Sequence, residues 1–263
     1  MDKIKEHYKN LARTLGLAKD LSMKDLFTKD AEIKEIKKYL EYLLNKKNNS
    51  KIVELGCGNG FTAELLSTEL DINIIGIDYC EELIEIAKKR KSPKVNFCVG
   101  NVLKLDFKDR SLDIIYTERC LINLDTWQKQ KKALDEIHRV LKKGGVFIML
   151  ESFLDGLWVI NEAREVVGLS PIEQPFHNKY FEKDKLFTHL KEKFIDLGTK
   201  DPHFNKIYNK NFLSSYYFGS RVLYPALIKN EDIRYNNRFI EFFSFLKPYG
   251  NYSYIQILVF QKN

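Results

Sequence analysis

Val53-Glu54-Leu55-Gly56-Cys57-Gly58-Asn59-Gly60 is the stretch whose reading decides the fold. Ile52-Val53-Glu54-Leu55 is a short β-rich run that stops at glycine, and residues 61–70 continue at helical spacing. Strand, glycine turn and helix in that order open an α/β unit, in which a ligand sits beyond the carboxyl end of the strand. Glycine permits positive φ and lets a ligand approach the backbone closely. A dinucleotide-binding turn reads Gly-x-Gly-x-x-Gly. Here the spacing is Gly56-x-Gly58-x-Gly60, with Phe61 where that pattern needs its third glycine. The displacement argues against a nicotinamide oxidoreductase.

Outward from this turn, strand and helix alternate. Strands are expected at 72–77, 95–99, 112–117 and 146–150, with helices at 81–89 and 126–141 between them. Lys142-Lys143-Gly144-Gly145 closes the long helix with cations on its last turn and glycine beyond. The rhythm predicts a doubly wound, mostly parallel sheet with helices on both faces. Upstream, 3–15 is helical in pattern and a loop with Ser22 and Asp30 follows. Ile33, Ile36, Tyr39, Leu40, Leu43 and Leu44 mark an amphipathic helix over 31–44, ended by Asn48-Asn49-Ser50.

Beyond Glu151 the rhythm breaks. Helices are expected at 157–167 and 184–190, separated by a loop with Pro171 and Pro175, and a strand at 194–197. Residues 205–230 read as aromatic-rich and irregular, and 254–261 as a last, antiparallel strand. The expected fold is therefore α/β: a Rossmann-like, seven-stranded sheet with an inserted aromatic cap. Its organisation is an N-terminal helical segment (1–46) over the ligand site, a core (47–153), a cap (154–250) and a final core strand (251–263).

Composition narrows the function classes. No apolar run approaches a membrane span, and Met1-Asp2-Lys3-Ile4-Lys5-Glu6 lacks a signal-peptide pattern, so a cytoplasmic location is expected. The four cysteines, Cys57, Cys80, Cys98 and Cys120, stand singly, which predicts free thiols and no metal site. The net charge of +7 favours anionic partners, although the lysines are dispersed. No nucleic-acid-binding module is recognisable, so DNA is excluded and RNA is the less favoured partner. The sequence allows a homodimer.

The turn and its surroundings resemble class I S-adenosylmethionine-dependent methyltransferases, whose first motif reads acid-x-Gly-x-Gly-x-Gly. The likeness spans about Lys51 to Glu151. It implies S-adenosyl-L-methionine as donor and S-adenosyl-L-homocysteine as product. Gly56, Cys57 and Gly58 would cradle the donor's amino-acid part, and Glu54 would organise that end. Asp78, about twenty residues on, would accept the ribose hydroxyls; its other reading is a helix N-cap. Tyr79 matches the position that contacts adenine. Asn101 and Val102 match an acid–apolar pair at the adenine edge, with Asn101 a departure whose amide oxygen still accepts. Thr117 ends the fourth strand at the ligand edge, and for Tyr8 of the N-terminal segment and the stretch Ser22-Met23-Lys24-Asp25 two readings stand side by side, folding over the donor or ordinary packing against the sheet.

On the acceptor side, residues 117–120 read Thr-Glu-Arg-Cys. This lacks the Asn/Asp-Pro-Pro-aromatic motif of exocyclic-amine methylation, and no proline precedes Cys120 as cytosine C5 chemistry requires. A small-molecule or carrier-linked acceptor remains. The candidates for catalysis and acceptor contact are Glu118, Arg119, His177 and Tyr180, with Asn123, Glu151, Asn161, Arg164 and Asn178 nearby. His177 is the candidate base because imidazole titrates near neutral pH; the alternative is an exposed loop histidine. Residues 118–124, 161–164, 177–180 and 247–252 resemble methyltransferases of bacterial surface-polysaccharide clusters, which implies O-methylation of a sugar or phosphate-type substituent. An RNA methyltransferase and a non-catalytic donor-binding regulator are the competing readings.

Overall fold

The computed structural model describes residues 2–19, 24–45, 50–231, 235 and 237–263. Ser22 and Met23 of the expected lid stretch, and Asn48 and Asn49, lie outside the described residues. Five strands, β1 (Ile52–Leu55), β2 (Ile74–Asp78), β3 (Val95–Val99), β4 (Leu112–Glu118) and β5 (Leu141–Ser152), are parallel neighbours in the order β3-β2-β1-β4-β5. β6 (Phe194–Asp196) and β7 (Ile255–Lys262) complete a seven-stranded sheet, with β7 antiparallel between β5 and β6. This is the expected Rossmann-like sheet with its reversed last strand. β1 and β4 lie at its centre and are buried throughout, which is why they read as near-continuous apolar runs.

Helices α1 (Asp2–Leu15), α2 (Leu26–Leu44), α3 (Phe61–Leu70), α4 (Glu81–Lys88), α5 (Trp127–Val140), α6 (Leu154–Val166) and α7 (Lys183–Leu190) follow the sequence pattern closely. α2 begins earlier than its apolar stripe suggested, because Asp25 caps it by accepting from the Thr28 backbone N–H at 3.1 Å. β5 also starts early, at Leu141, and bulges through 142–145, where Gly144 has φ 73°.

The cap departs most from expectation. Residues 205–230 are largely helical, not irregular. After short helices α8 (Leu197–Lys200) and α9 (Pro202–Asn205), a rod runs through α10 (Ser214–Phe218), one π-helical turn (Gly219–Leu223) and α11 (Tyr224–Ile228). Pro225 has no N–H to give the preceding turn, and the helix widens just before it. The rod buries polar as well as apolar side chains, so its stripe does not show as hydrophobic periodicity. Arg221 is buried, donates to Asp25 at 2.7 Å and lies 3.6 Å from the Tyr217 ring centre. A last helix, α12 (Arg238–Ser244), packs on the π turn, where a Cβ at Gly219 would lie 2.1 Å from the Phe243 ring. No helix among the described residues is long and apolar enough to cross a membrane.

Candidate functional site

The cleft opens at the carboxyl ends of β1, β2 and β4, with an empty volume of about 1120 Å³ including its open mouth. Its floor is the glycine turn. Gly56 and Cys57 both donate to the Ile77 carbonyl, at 2.7 and 3.0 Å, which pins the turn to the end of β2. Gly56, Gly58 and Gly60 all have positive φ. A Cβ on Gly56 would lie 2.6 Å from Cys120, and one on Gly60 would lie 2.4 Å from the Phe97 ring. The first and third glycines therefore answer to packing. The middle one faces open space, with no atom within 4 Å of a Cβ built there. A side chain at Gly58 would occupy the cleft itself.

Asp78 stands at the end of β2. One carboxylate oxygen accepts from Gly58 N at 3.0 Å and the other from Cys80 N at 2.9 Å. It is not the N-cap of α4, because Cys80 holds that position without a side-chain cap. Burial raises the Asp78 carboxyl, while the N–H donors oppose the rise. Glu54 accepts from the Tyr116 hydroxyl at 3.1 Å, and burial, reinforced by the Glu118 charge, pushes it up to about 8. Tyr79, Val102, Leu103 and Leu83 supply the apolar wall. The Asn101 side-chain oxygen accepts from Leu103 N at 2.9 Å and keeps a second lone pair.

α1 forms the opposite wall through Ile4 and Tyr8. Tyr8 donates to the Asn123 side chain at 3.0 Å, and Lys9 pairs with Glu82 of α4 at 2.9 Å. The chain after α1 is held by Asn59, whose amide donates to the Gly16 and Ala18 carbonyls. His7 stacks on His177, with ring centres 4.5 Å apart, and the His177 ring lies 6.4 Å from that of Tyr8, outside the residues that line the cleft. Burial, with His7 adding to it, lowers the His177 pKa, so the ring is neutral at pH 7. Its Nδ1 is buried without a hydrogen-bond partner among the described residues.

A buried charge cluster closes the inner end. Glu118 takes Lys29 Nζ at 2.6 Å and the Thr62 hydroxyl at 2.7 Å, while Arg119 Nε lies 3.0 Å from Glu32. Burial pushes Glu118 up, but Lys29 and Arg119 beside it hold it down at about 2. Burial pushes Glu32 up to about 8 against the pull of Arg119, and the neighbouring Glu118 charge adds to the rise. Arg119 has φ 54°, an uncommon left-handed conformation at the sheet's ligand edge.

The structure thus brings Tyr8, Glu54, Gly56, Cys57, Gly58, Asp78, Tyr79, Asn101, Val102, Glu118 and Arg119 to one cleft. Thr117, His177 and Tyr180 are not in its lining. Thr117 is buried beneath it beside Glu151, and the buried Tyr180 ring stacks on Tyr254 at 5.7 Å. Glu151 anchors the loop after β4, accepting from the backbone N–H groups of Cys120, Leu121 and Ile122 at 3.1, 2.9 and 3.2 Å. Arg164 is tied to the Ser170 and Arg221 carbonyls and to Glu231, and Asn161 to Ile172. These side chains are committed to holding the cap. Sequence reasoning missed Lys29, Glu32 and Thr62. The signal was present for two of them, because Lys29 and Glu32 fall in register with Ile33, Ile36 and Leu40 on the core face of α2.

Known proteins resemble this chain over its central part. Residues 53–149 match the family model described as a methyltransferase domain. "O-methyltransferase rstn1" of Aspergillus nomiae is 32% identical over 117 residues, 43% of this chain and 51% of that protein. "Ubiquinone/menaquinone biosynthesis C-methyltransferase UbiE" of Campylobacter jejuni is 35% identical over 111 residues, 40% of this chain and 46% of that protein. The match spans about half the length of these curated relatives. Among solved structures, a TehB-like SAM-dependent methyltransferase from Corynebacterium glutamicum superposes with TM-score 0.52 at 17% identity, covering 89% of this chain and 88% of that one. That likeness is one of fold.

Proposed function

We propose that this chain, whose residues 53–149 match the methyltransferase-domain family model, is a class I S-adenosylmethionine-dependent methyltransferase that moves a methyl group from S-adenosyl-L-methionine to an oxygen of a small anionic or sugar-linked acceptor, leaving S-adenosyl-L-homocysteine. The observation that carries the reading is the cleft floor, where the Asp78 carboxylate, the open space above Gly58 and the buried Glu54 converge at the carboxyl ends of β1 and β2. The residues fit the donor. Asp78 accepts the ribose hydroxyls, Tyr79, Val102 and Leu83 flank the adenine, and Asn101 accepts from its amino group. Lys29 and Glu118 face the amino-acid end with a cation and an anion.

The donor, when bound, supplies a methyl already activated on a positively charged sulfur. The protein's task is orientation, which can contribute roughly 7–11 kcal/mol. Tyr8 and Asn123 close the cleft against water, and His177, behind Tyr8 and outside the cleft lining, is the candidate to take the proton that a hydroxyl acceptor releases. The net charge of +7 and the resemblance of the acceptor-side segments to surface-polysaccharide methyltransferases support an acceptor of that anionic, cytoplasmic biosynthetic kind. The matched segment is shared by O- and C-methyltransferases, so the acceptor is read from the residues outside it.

The test is transfer of labelled methyl into a fractionated bacterial extract. Label in small sugar- or phosphate-bearing compounds is expected. Ribonuclease-sensitive label in RNA would overturn the acceptor class, and donor binding with no transfer into any fraction would make the chain a regulator.

A further inference from the structure

Half of the exposed large apolar side chains among the described residues fall within 227–249: Leu227, Ile228, Phe239, Phe242, Phe245, Leu246 and Tyr249, against Leu17, Val99, Trp158, Val166, Val167, Phe176 and Ile195 elsewhere. They are not scattered. Phe239 lies 5.3 Å from Tyr224 of α11 and 5.4 Å from Phe243, which joins α11 and α12 into one surface. α12 has two apolar faces. Ile240 and Phe243, three apart, point inward onto the cap, Ile240 fully buried and Phe243 against Gly219. Phe239, Phe242 and Phe245, again at spacing three, point outward, with Phe242 59% and Phe245 76% exposed. A helix apolar on both faces belongs in an interior; here the outer face is open.

We propose that this stripe seats the protein on an anionic lipid surface. Three observations favour a bilayer. Lys229, Arg238 and Lys247 are exposed along the stripe, while Glu231 is drawn away by Arg164 at 2.6 Å and by Ser170. Aromatic residues bordered by cations suit the headgroup–acyl boundary of anionic membranes. The run 244–250 is exposed throughout, with its backbone held to Ser214 and Ser215 of α10, so its side chains offer a firm apolar edge to lipid rather than a pocket for a partner's side chain. A second copy would bring the same cations face to face on a molecule already at +7. The association is peripheral, and it does not depend on the identity of the methyl acceptor.

The experiment is co-sedimentation of the full chain with vesicles of phosphatidylglycerol and phosphatidylcholine in equal parts, and of phosphatidylcholine alone. Binding to the anionic vesicles is expected, with about a fivefold or greater loss in the Phe242→Ser/Phe245→Ser double variant and a smaller loss in Lys247→Glu. Both variants change exposed residues remote from the donor cleft, and an unaltered thermal melt checks that they fold. No binding to anionic vesicles, or equal binding by the double variant, overturns the proposal. So does a concentration-dependent dimer in sedimentation equilibrium that the double variant abolishes, since a second copy would then cover the stripe.

Discussion

Replacing Lys29 by methionine should expose how much of the site depends on its buried charges. Lys29 Nζ donates to Glu118 at 2.6 Å and to Thr62 at 2.9 Å, with the two charged side chains 8% and 4% exposed. Removing one partner of such a pair costs roughly 3–5 kcal/mol because the other charge is left buried. Arg119 stays near Glu118, at 4.0 Å, so the low end applies. About 3 kcal/mol corresponds to a Tm lower by roughly 6–12 °C for a chain of this size. Glu118→Gln alone should also destabilise, but in the Lys29→Met/Glu118→Gln double variant both charges leave together. Its loss should fall short of the sum by about 2 kcal/mol. Thermal and urea melts at pH 7 measure all four corners of the cycle. A Lys29→Met loss under about 1 kcal/mol, or additivity within about 0.5 kcal/mol, would refute the view of these residues as one interdependent cluster.

Two further outcomes follow from the same geometry. Gly56→Ala places a Cβ 2.6 Å from Cys120 at a residue with φ 76°, so donor affinity should fall at least about tenfold in calorimetry, with a cost to stability of about 1–3 kcal/mol. Glu32 keeps its proton in the folded state up to about 8, whereas the unfolded chain gives it up near 4.5. The unfolded state thus binds fewer protons between those values, and this group's contribution to stability declines as pH rises through the window. Glu32→Gln should flatten the fall in Tm between about pH 5 and 8; an unchanged slope would show that Glu32 is ionised throughout.

The sheet was legible because its cues are local. β1, α3 and β3 carry the bounds read from the residues, since each begins or ends at a glycine or at a change of period. The floor of the cleft was legible for the same reason: Gly56, Gly58 and Asp78, which line it together, lie within one strand–turn–helix–strand unit. The cap was not. Its rod from Ser214 to Ile228 is held by the Arg221–Asp25 pair, 196 residues apart in sequence, and by tyrosine rings around the guanidinium. No periodicity reports a buried ion pair. Glu151 and Arg164 had the right chemistry for an acceptor site, yet neither lines the cleft and their hydrogen bonds are spent on the loop after β4 and on the cap. Lys29 and Glu32 show the opposite case, charges on an apolar stripe that mark the site from within the sequence.

The most direct test of the central claim is titration calorimetry of the full chain with S-adenosyl-L-methionine and, separately, with NAD. Saturable binding of S-adenosyl-L-methionine near one equivalent is expected, with no measurable heat from NAD. In Asp78→Ala, checked by thermal melt because Asp78 also holds Gly58 N and Cys80 N, affinity should drop about tenfold or more, the worth of one charge-assisted hydrogen bond pair to the ribose. Absence of S-adenosyl-L-methionine binding, or tighter binding of NAD, would contradict the account of the glycine turn.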